Sequence, residues 1–377
     1  MSTAFIHSLT LTAYRSYDRA VLDALAGMVV LMGHNGAGKT NILEAVSLLS
    51  PGRGLRRAKL AEVQKFGSPT PWSVAAVLST PHGEQLIATG QDPNNLESDR
   101  RIVMIDGNKV GQPELNEHLA VTWLTPSMDR LWTDSPGTRR RFLDRLTAAL
   151  DPAHTTRLNR YEDALAERNK LLKDGRMDDV WLSSIEHTLA TEGVAVMAAR
   201  RELVLGLMPH LASTVTTAGF PAPVLSLEGI ENWLAEGPAL LMEDRFRAEL
   251  ARNRRFDGAA GITSLGPHRS DLAAVHPAKE MPAALCSTGE QKALLISLIL
   301  AHAELLKAQR NQPPILLLDE IGAHLDENRR ETLYNQLFLL GSQVWLTGAD
   351  SSLFSPLFGH VLCYEIEAGR VRETAPV

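Results

Sequence analysis

The stretch MVVLMGHNGAGKTNILEAVSLLS, residues 28 to 50, joins an apolar run, a glycine-rich turn and a helical period. Met28 to Met32 is short and wholly apolar, the pattern of a buried strand. Ile42, Ala45, Val46 and Leu49 then recur at helical spacing. Between them Gly33, His34, Asn35, Gly36, Ala37, Gly38, Lys39 and Thr40 match G-x-x-x-x-G-K-[ST], in the strand-to-helix setting this motif requires. Glycines let the backbone curl so that successive N–H groups converge on a phosphate at the positive end of the helix. Lys39 is then expected to reach the outer phosphates of a nucleotide, and the Thr40 hydroxyl to hold Mg²⁺.

The whole chain narrows the setting. Its 377 residues suggest one large or two ordinary domains. An apolar content of 44% supplies a core, and 22% charged residues is ordinary for a soluble protein. The net charge of −6 carries no global nucleic-acid signature, so any DNA binding must come from local patches. Two cysteines, Cys286 and Cys363, are too few for a disulfide framework and fit a reducing cytosol. The opening MSTAFIHSLTLTAYRSYD lacks the basic start and long apolar run of a signal peptide. The most apolar segment, ALLISLILAHAELL at 293–306, is interrupted by a His and a Glu, so no membrane span is expected. The expectation is a cytoplasmic protein.

Along the chain the period changes twice. Residues 1 to 110 read as β-rich: SLTLTAY alternates, SVAAVLST and QLIATG are short runs, and RIVMIDGNKV turns at Asp106-Gly107. From about residue 126 the pattern is helical, through RRRFLDRLTAALD, RLNRYEDALAERNKLLKD and the long stretch beginning DDVWLSS. GFPAPVLSLEG at 219–229 returns briefly to a strand, and GPALLMEDRFRAELARNRRFDGAAG reads as another helix with a glycine exit. After Gly261 the α/β pattern resumes: a helix over 290–309, a strand over 315–318, a helix over 328–340, and strands over 343–347 and near 361–366. The predicted architecture is an α/β nucleotide domain in two halves, 1–125 and 262–377, divided by a mostly helical insertion over 126–261.

A nucleotide pocket also needs a carboxylate for Mg²⁺ and a group that positions water. PPILLLDEIGAHLD offers both: Ile315 to Leu318 is a buried strand ending in Asp319-Glu320. Strand C-termini are where α/β sheets present ligand-binding groups. Asp319 is the expected magnesium carboxylate and Glu320 the expected base. Upstream, Ser287, Thr288, Gly289, Glu290 and Gln291 open a nearly all-apolar helix, 32 residues before Asp319. A capping serine at a positive helix end is a second anion site. Here the sequence resembles the ABC ATPases, whose signature motif lies just before the acidic strand. The resemblance implies an ABC-type P-loop ATPase domain in which the signature of one subunit closes on the nucleotide of another. GAHLD resembles that family's D-loop, with Asp326 as its acidic residue.

Within the ABC class the chain resembles the RecF family of bacterial recombination mediators, over essentially its whole length. The pieces are AYRSYD, GHNGAGKTNILEA, GRGLRRA, LTPSMDRLWTDSPGTRRRFLDRL, YEDALAERNKLLK, TSLGPHRSDL, STGEQKALLISLILA, and LLLDEIGAHLD followed by QVWLTGAD. Ser16 stands where an Asn is commoner, and Thr347 occupies the place of the switch histidine of ABC transporters. The resemblance implies catalytic roles for Lys39, Glu320 and Ser287, and ATP contacts that extend to Asn41 and Arg56. Arg56 reads equally well as an exposed arginine in a basic loop. The resemblance further implies weak, DNA-stimulated ATP hydrolysis, an ATP-dependent homodimer on DNA near gaps, and cooperation with RecR and RecO in loading RecA onto single strands. An ABC-type switch that gates a protein partner without touching DNA is the alternative reading.

Three basic clusters are candidates for a DNA backbone: Arg53, Arg56, Arg57 and Lys59; Arg139, Arg140, Arg141 and Arg145; and Arg245, Arg247, Arg252, Arg254 and Arg255. Such clusters serve shape or backbone binding rather than base reading. For any one of them, a solvated helical face laced with salt bridges is the plainer reading. His268, in LGPHRSDL, is read as a hydrogen-bonded structural histidine. Outside the nucleotide site no further carboxylate cluster suggests the two-metal centre of a nuclease.

Overall fold

The computed structural model describes residues 5–23, 27–80, 83–95, 98, 100–175, 178–218 and 220–374. The chain divides into two compact units, one of residues 1–129, 213–220 and 295–377, the other of 130–212 and 221–294. In chain order come β1 (Phe5–Tyr14), β2 (Tyr17–Leu22), β3 (Met28–Met32), α1 (Lys39–Ser47), α2 (Leu60–Val63), β4 (Ser73–Thr80), β5 (Gly83–Gly90), β6 (Ile102–Ile105), β7 (Asn108–Val110), α3 (Leu115–His118) and β8 (Val121–Leu124). Then follow α4 (Pro136–Leu150), α5 (His154–Lys173), α6 (Asp179–Ala218), β9 (Val224–Glu228), α7 (Ala239–Ala260), β10 (Asp271–His276) and β11 (Met281–Pro282). The chain closes with α8 (Thr288–Arg310), β12 (Ile315–Leu318), α9 (Glu327–Leu340), β13 (Val344–Gly348), β14 (Val361–Glu367) and β15 (Arg370–Thr374).

The first unit holds two six-stranded sheets, and their sequences differ for a physical reason. In the sheet ordered β15-β14-β3-β13-β12-β8, all neighbours are parallel except β14 and β15. ILLL of β12, VWLTG of β13 and VTWL of β8 are buried at every position, as strands covered on both faces are. The other sheet, β2-β1-β4-β5-β6-β7, is antiparallel throughout. There SVAAVLST of β4 alternates half-buried and buried residues, one face to the core. Asp106 and Gly107, at φ 49° and 82°, make the tight turn between β6 and β7. Both sheets contribute to one core that includes Leu11, Val46, Val74, Leu317 and Trp345. β15 lies beyond the expected last strand. Ala368 and Gly369, both left-handed, fold it back on β14, and that short Ala-Gly turn is its sequence signal.

In the second unit α5, α6 and α7 pack around Tyr161, Leu189, Met197, Phe246 and Leu250. The change of period at Gly261 does not coincide with the end of this unit, which continues to Leu294. The reason is strand pairing: β10 lies antiparallel to β9, Asp271 opposite Glu228 and Val275 opposite Val224. That ladder ties the chain after α7 to the helical unit. Among the described residues no helix is long and apolar enough to cross a membrane.

The helices of the second unit are locked by a buried ion network. Arg168, fully buried, donates to Glu186 at 3.1 Å, to Asp257 and Thr263 Oγ1 at 2.8 Å each, and to the Leu250 carbonyl at 2.7 Å. One guanidinium therefore holds α5, α6, α7 and the segment after it. Replacing Arg168 by Ala leaves buried Asp257 without its ion partner, while Glu186 keeps Arg254, and should lower stability by about 3–5 kcal/mol. Chemical unfolding read on this unit's helices checks it. A second lock is His268, whose Nε2 lies 2.9 Å from the Thr263 carbonyl and whose Nδ1 lies 2.6 Å from the Tyr161 hydroxyl. Burial pulls its pKa down to about 4, so the ring is neutral, donating to Thr263 and accepting from Tyr161.

Candidate nucleotide site

The glycine loop leaves β3 and enters α1 as its sequence demands. Gly33, Gly36 and Gly38 sit at φ 146°, 83° and 115°, which L side chains rarely adopt. Two of them are also crowded. A Cβ on Gly38 would stand 2.6 Å from the Tyr17 hydroxyl, and one on Gly33 would strike the Ile366 carbonyl. Inside the loop the Lys39 ammonium, 4% exposed, donates to the carbonyls of Gly33 at 2.6 Å and His34 at 3.0 Å. Burial lowers its pKa, with the negative charges of Glu320 and Asp319 opposing the shift. His34, Asn35 and Gly36 face solvent at the loop's crown, with Ala37 half-buried beneath them.

The acidic strand end meets the loop at Thr40. Its hydroxyl lies 3.1 Å from Asp319 Oδ1 and 3.2 Å from Oδ2, across 279 residues of sequence. Strand order is the cause: β13 lies between β3 and β12, with Leu31 and Leu318 paired to Thr347 and Leu346. Thr347 works in both directions. Its hydroxyl donates to Asp319 Oδ1 at 2.7 Å and accepts from the Glu320 amide at 2.9 Å. Glu320 is half-buried and left-handed, at φ 50°. A hydroxyl and a carboxylate so placed form the sparse oxygen donor set that Mg²⁺ takes when phosphates and water complete its shell. Thr347→Val keeps the shape and removes both hydrogen bonds. Bonds to charged groups are worth about 1.5–3 kcal/mol, so hydrolysis should fall by roughly 10- to 100-fold. Thr347→Ser should restore it, and steady-state ATPase rates check both.

The wall of the site is a hairpin tip for which the sequence offers only a family likeness. Between β1 and β2, Tyr17 donates to the Gly38 carbonyl at 3.0 Å, and Ser16 Oγ accepts from Asn41 at 3.1 Å. Arg15 grips Glu44 with two bonds, 2.9 and 2.7 Å. Arg56 donates to Asn41 Oδ1 at 2.7 Å and lies 3.6 Å from the same Glu44. Glu44, 1% exposed, is thus the hub that joins α1, the hairpin and the loop after α1. Its signal in the sequence is a carboxylate amid the buried residues of α1, where a charge needs partners.

The residues expected to form a signature, Ser287 to Gln291, lie in the second unit and form a closed cap of their own. Ser287 donates through its amide and hydroxyl to Glu290 Oε2, at 3.0 and 2.9 Å, and its Oγ accepts from the Glu290 amide at 3.4 Å, the reciprocal pairing of a capping box. Lys279 lies 2.6 Å from the other oxygen and, with Ser287, holds the Glu290 carboxyl at about 2. Ser287 and Thr288 are exposed, Gly289 has open space around it, and Gln291 is buried, donating to the Cys286 carbonyl at 2.9 Å. In the first unit Asp326 caps α9, accepting from the Arg329 amide at 2.9 Å.

The basic clusters divide. Arg139 is bound to Asp271 by two bonds of 2.7 and 2.6 Å, Arg140 to the Ser270 carbonyl at 2.7 Å, and Arg141 to Thr138 at 3.0 Å. Arg254 is clamped by Glu186 at 2.6 Å and Asp179 at 2.7 Å, while Arg255 is exposed. Arg53, Arg57 and Lys59 are exposed.

A glycine loop around a lysine, a threonine against a strand-end aspartate and a glutamate after it define an ABC-type ATPase head of the SMC kind. The model of the RecF/RecN/SMC N terminal domain matches residues 5–356. The DNA replication and repair protein RecF of Mesorhizobium japonicum is 46% identical over 370 residues, covering 98% of each chain. The RecF protein of Rhizobium etli is 45% identical over 364 residues, covering 96% of this chain and 97% of the relative. The solved structure of the recombination mediator protein RecF-ATPrS in the RecFOR pathway superposes with a TM-score of 0.86 at 23% identity, covering 99% of each chain. The chain belongs to the RecF family.

Proposed function

We propose that this chain is an ATP-driven switch of DNA replication and repair: it binds ATP, dimerises on DNA and hydrolyses the nucleotide slowly. The observation that carries the reading is Thr40 against Asp319, which brings the two sequence halves of a nucleotide site together. Loop amides and Lys39 take the phosphates. Thr40 and Asp319 would hold Mg²⁺, which supplies the charge neutralisation that phosphoryl transfer needs. Glu320, its backbone held by Thr347, orients the attacking water. Ser287 and its helix end complete the site of a second copy, so turnover is gated by dimerisation. The curated relatives are named for DNA replication and repair, and one solved relative for the RecFOR pathway. By that likeness, RecO and RecR are the partners and RecA the protein loaded.

The test is ATP hydrolysis with and without gapped duplex DNA. The expected result is a low basal rate that DNA raises. A rate indifferent to DNA, with ATP still driving dimerisation, would favour a switch that gates a protein partner.

A further inference from the structure

We infer that the loop after α1, and not the arginine-rich helices of the second unit, is the main phosphate-binding surface for duplex DNA, through Arg53, Arg57 and Lys59. The inference rests on the reading of this chain as a DNA-binding protein and assigns that property to residues.

The charge balance is the first ground. Residues 51–61, PGRGLRRAKLA, carry four cations and no acid. The third cluster lies in EGPALLMEDRFRAELARNRRFD, residues 236–257, where five arginines face five acids. Four of those arginines are paired: Arg245 with Glu236 at 2.6 Å, Arg247 with Asp244 at 2.7 Å, Arg252 with Glu249 at 2.8 Å, and Arg254 with Glu186 at 2.6 Å. In the second cluster Arg139 is 13% exposed beside Asp271, and burial pulls Arg145 down to about 9. Arg139 and Arg254 join distant segments of the second unit, and Arg245, Arg247 and Arg252 are already neutralised by their neighbours. By contrast, Arg53, Arg57 and Lys59 have no ion pair among the described residues.

Preorganisation is the second ground. The loop is fixed to the nucleotide unit at several points. Buried Arg101 donates to the carbonyls of Leu48, Ser50 and Gly52, the last two at 2.6 and 3.2 Å. Ser47 Oγ accepts from the Leu55 amide at 2.7 Å, and Gly54 packs so closely that a Cβ there would stand 2.8 Å from Leu48 and Ser47. Arg56, itself exposed, donates to Asn41, and Arg53, Arg57 and Lys59 face solvent. Three cations held on a fixed backbone match a polyanion whose charges repeat along its length, and each phosphate neutralised releases counterions.

The experiment measures affinity for a random-sequence duplex against salt for four proteins, with unfolding midpoints as the check on folding. For the intact chain, log affinity should fall linearly with log salt. In the triple variant Arg53→Gln, Arg57→Gln, Lys59→Gln the slope should shrink by about 2.7, roughly 0.9 for each phosphate that is no longer neutralised. The variant Arg53→Lys, Arg57→Lys should keep the full slope, because charge and not guanidinium geometry is the requirement. Arg245→Gln, Arg247→Gln, Arg252→Gln in the second unit should leave it unchanged. If the triple variant does not fold, Arg53→Gln alone should show a third of the effect. Duplex binding by the intact chain with an unchanged slope in the loop variants overturns this surface and leaves the DNA-binding reading standing. An equal loss in the second-unit variant also overturns it. No duplex binding by the intact chain overturns both.

Discussion

Mixing a Lys39→Ala chain with a Ser287→Arg chain, in the presence of ATP and DNA, should restore hydrolysis that neither shows alone. Lys39→Ala removes the ammonium that sits inside the glycine loop, 2.6 Å from the Gly33 carbonyl. Loss of a charged hydrogen-bond donor worth about 1.5–3 kcal/mol should weaken ATP binding by roughly 10- to 100-fold. Ser287→Arg places bulk at the exposed first residue of the signature cap and removes the hydroxyl's bond to Glu290. If each nucleotide lies between the loop of one copy and the signature of the other, a mixed dimer has one site carrying both substitutions. Its other site carries neither. Activity should reach up to about half that of the intact dimer when the sites fire independently, scaled by the fraction of mixed dimers. The measurement is the ATPase rate across mixing ratios, with crosslinking to count mixed dimers. Mixed dimers without rescue would mean that the site is not shared or that both sites must fire together. ATP binding to the mixed dimer separates those two outcomes.

Glu320→Gln should leave ATP binding intact and slow hydrolysis by roughly 10²–10⁴, the usual contribution of a positioned base. The substitution leaves the backbone amide that bonds Thr347 in place, so what is lost is the carboxylate's charge and basicity. Trapped with ATP, this variant should accumulate as dimer. Single-turnover hydrolysis and size-exclusion chromatography with ATP read the two effects. Hydrolysis at the rate of the intact chain would remove Glu320 from the role of base.

Much of the nucleotide unit is legible in the sequence because its signals are local. A glycine loop after an apolar run, and ILLL ending in Asp319-Glu320, state their geometry within a dozen residues, since strand burial and left-handed glycines are properties of short segments. The alternation of SVAAVLST likewise declares a sheet with one buried face. His268 reads as structural from its lone position, and its bonds to Tyr161 and Thr263 are of that kind.

Other features are decided only when the chain folds. Thr40 meets Asp319 because β13 inserts between β3 and β12, a strand order that no spacing encodes. Thr347 becomes the bridge between Asp319 and Glu320 for the same reason. The arginines show it most clearly. As letters, Arg57, Arg139 and Arg254 look equally available to a phosphate. In space Asp271 lies 132 residues from Arg139 and Glu186 lies 68 from Arg254, while Arg57 remains in solvent. Charge is local, but neutralisation is a contact made through space. The sequence alone could determine where the cations are; only the tertiary structure could decide that Arg139 and Arg254 are already held, because Asp271 and Glu186 come from a distant strand and helix.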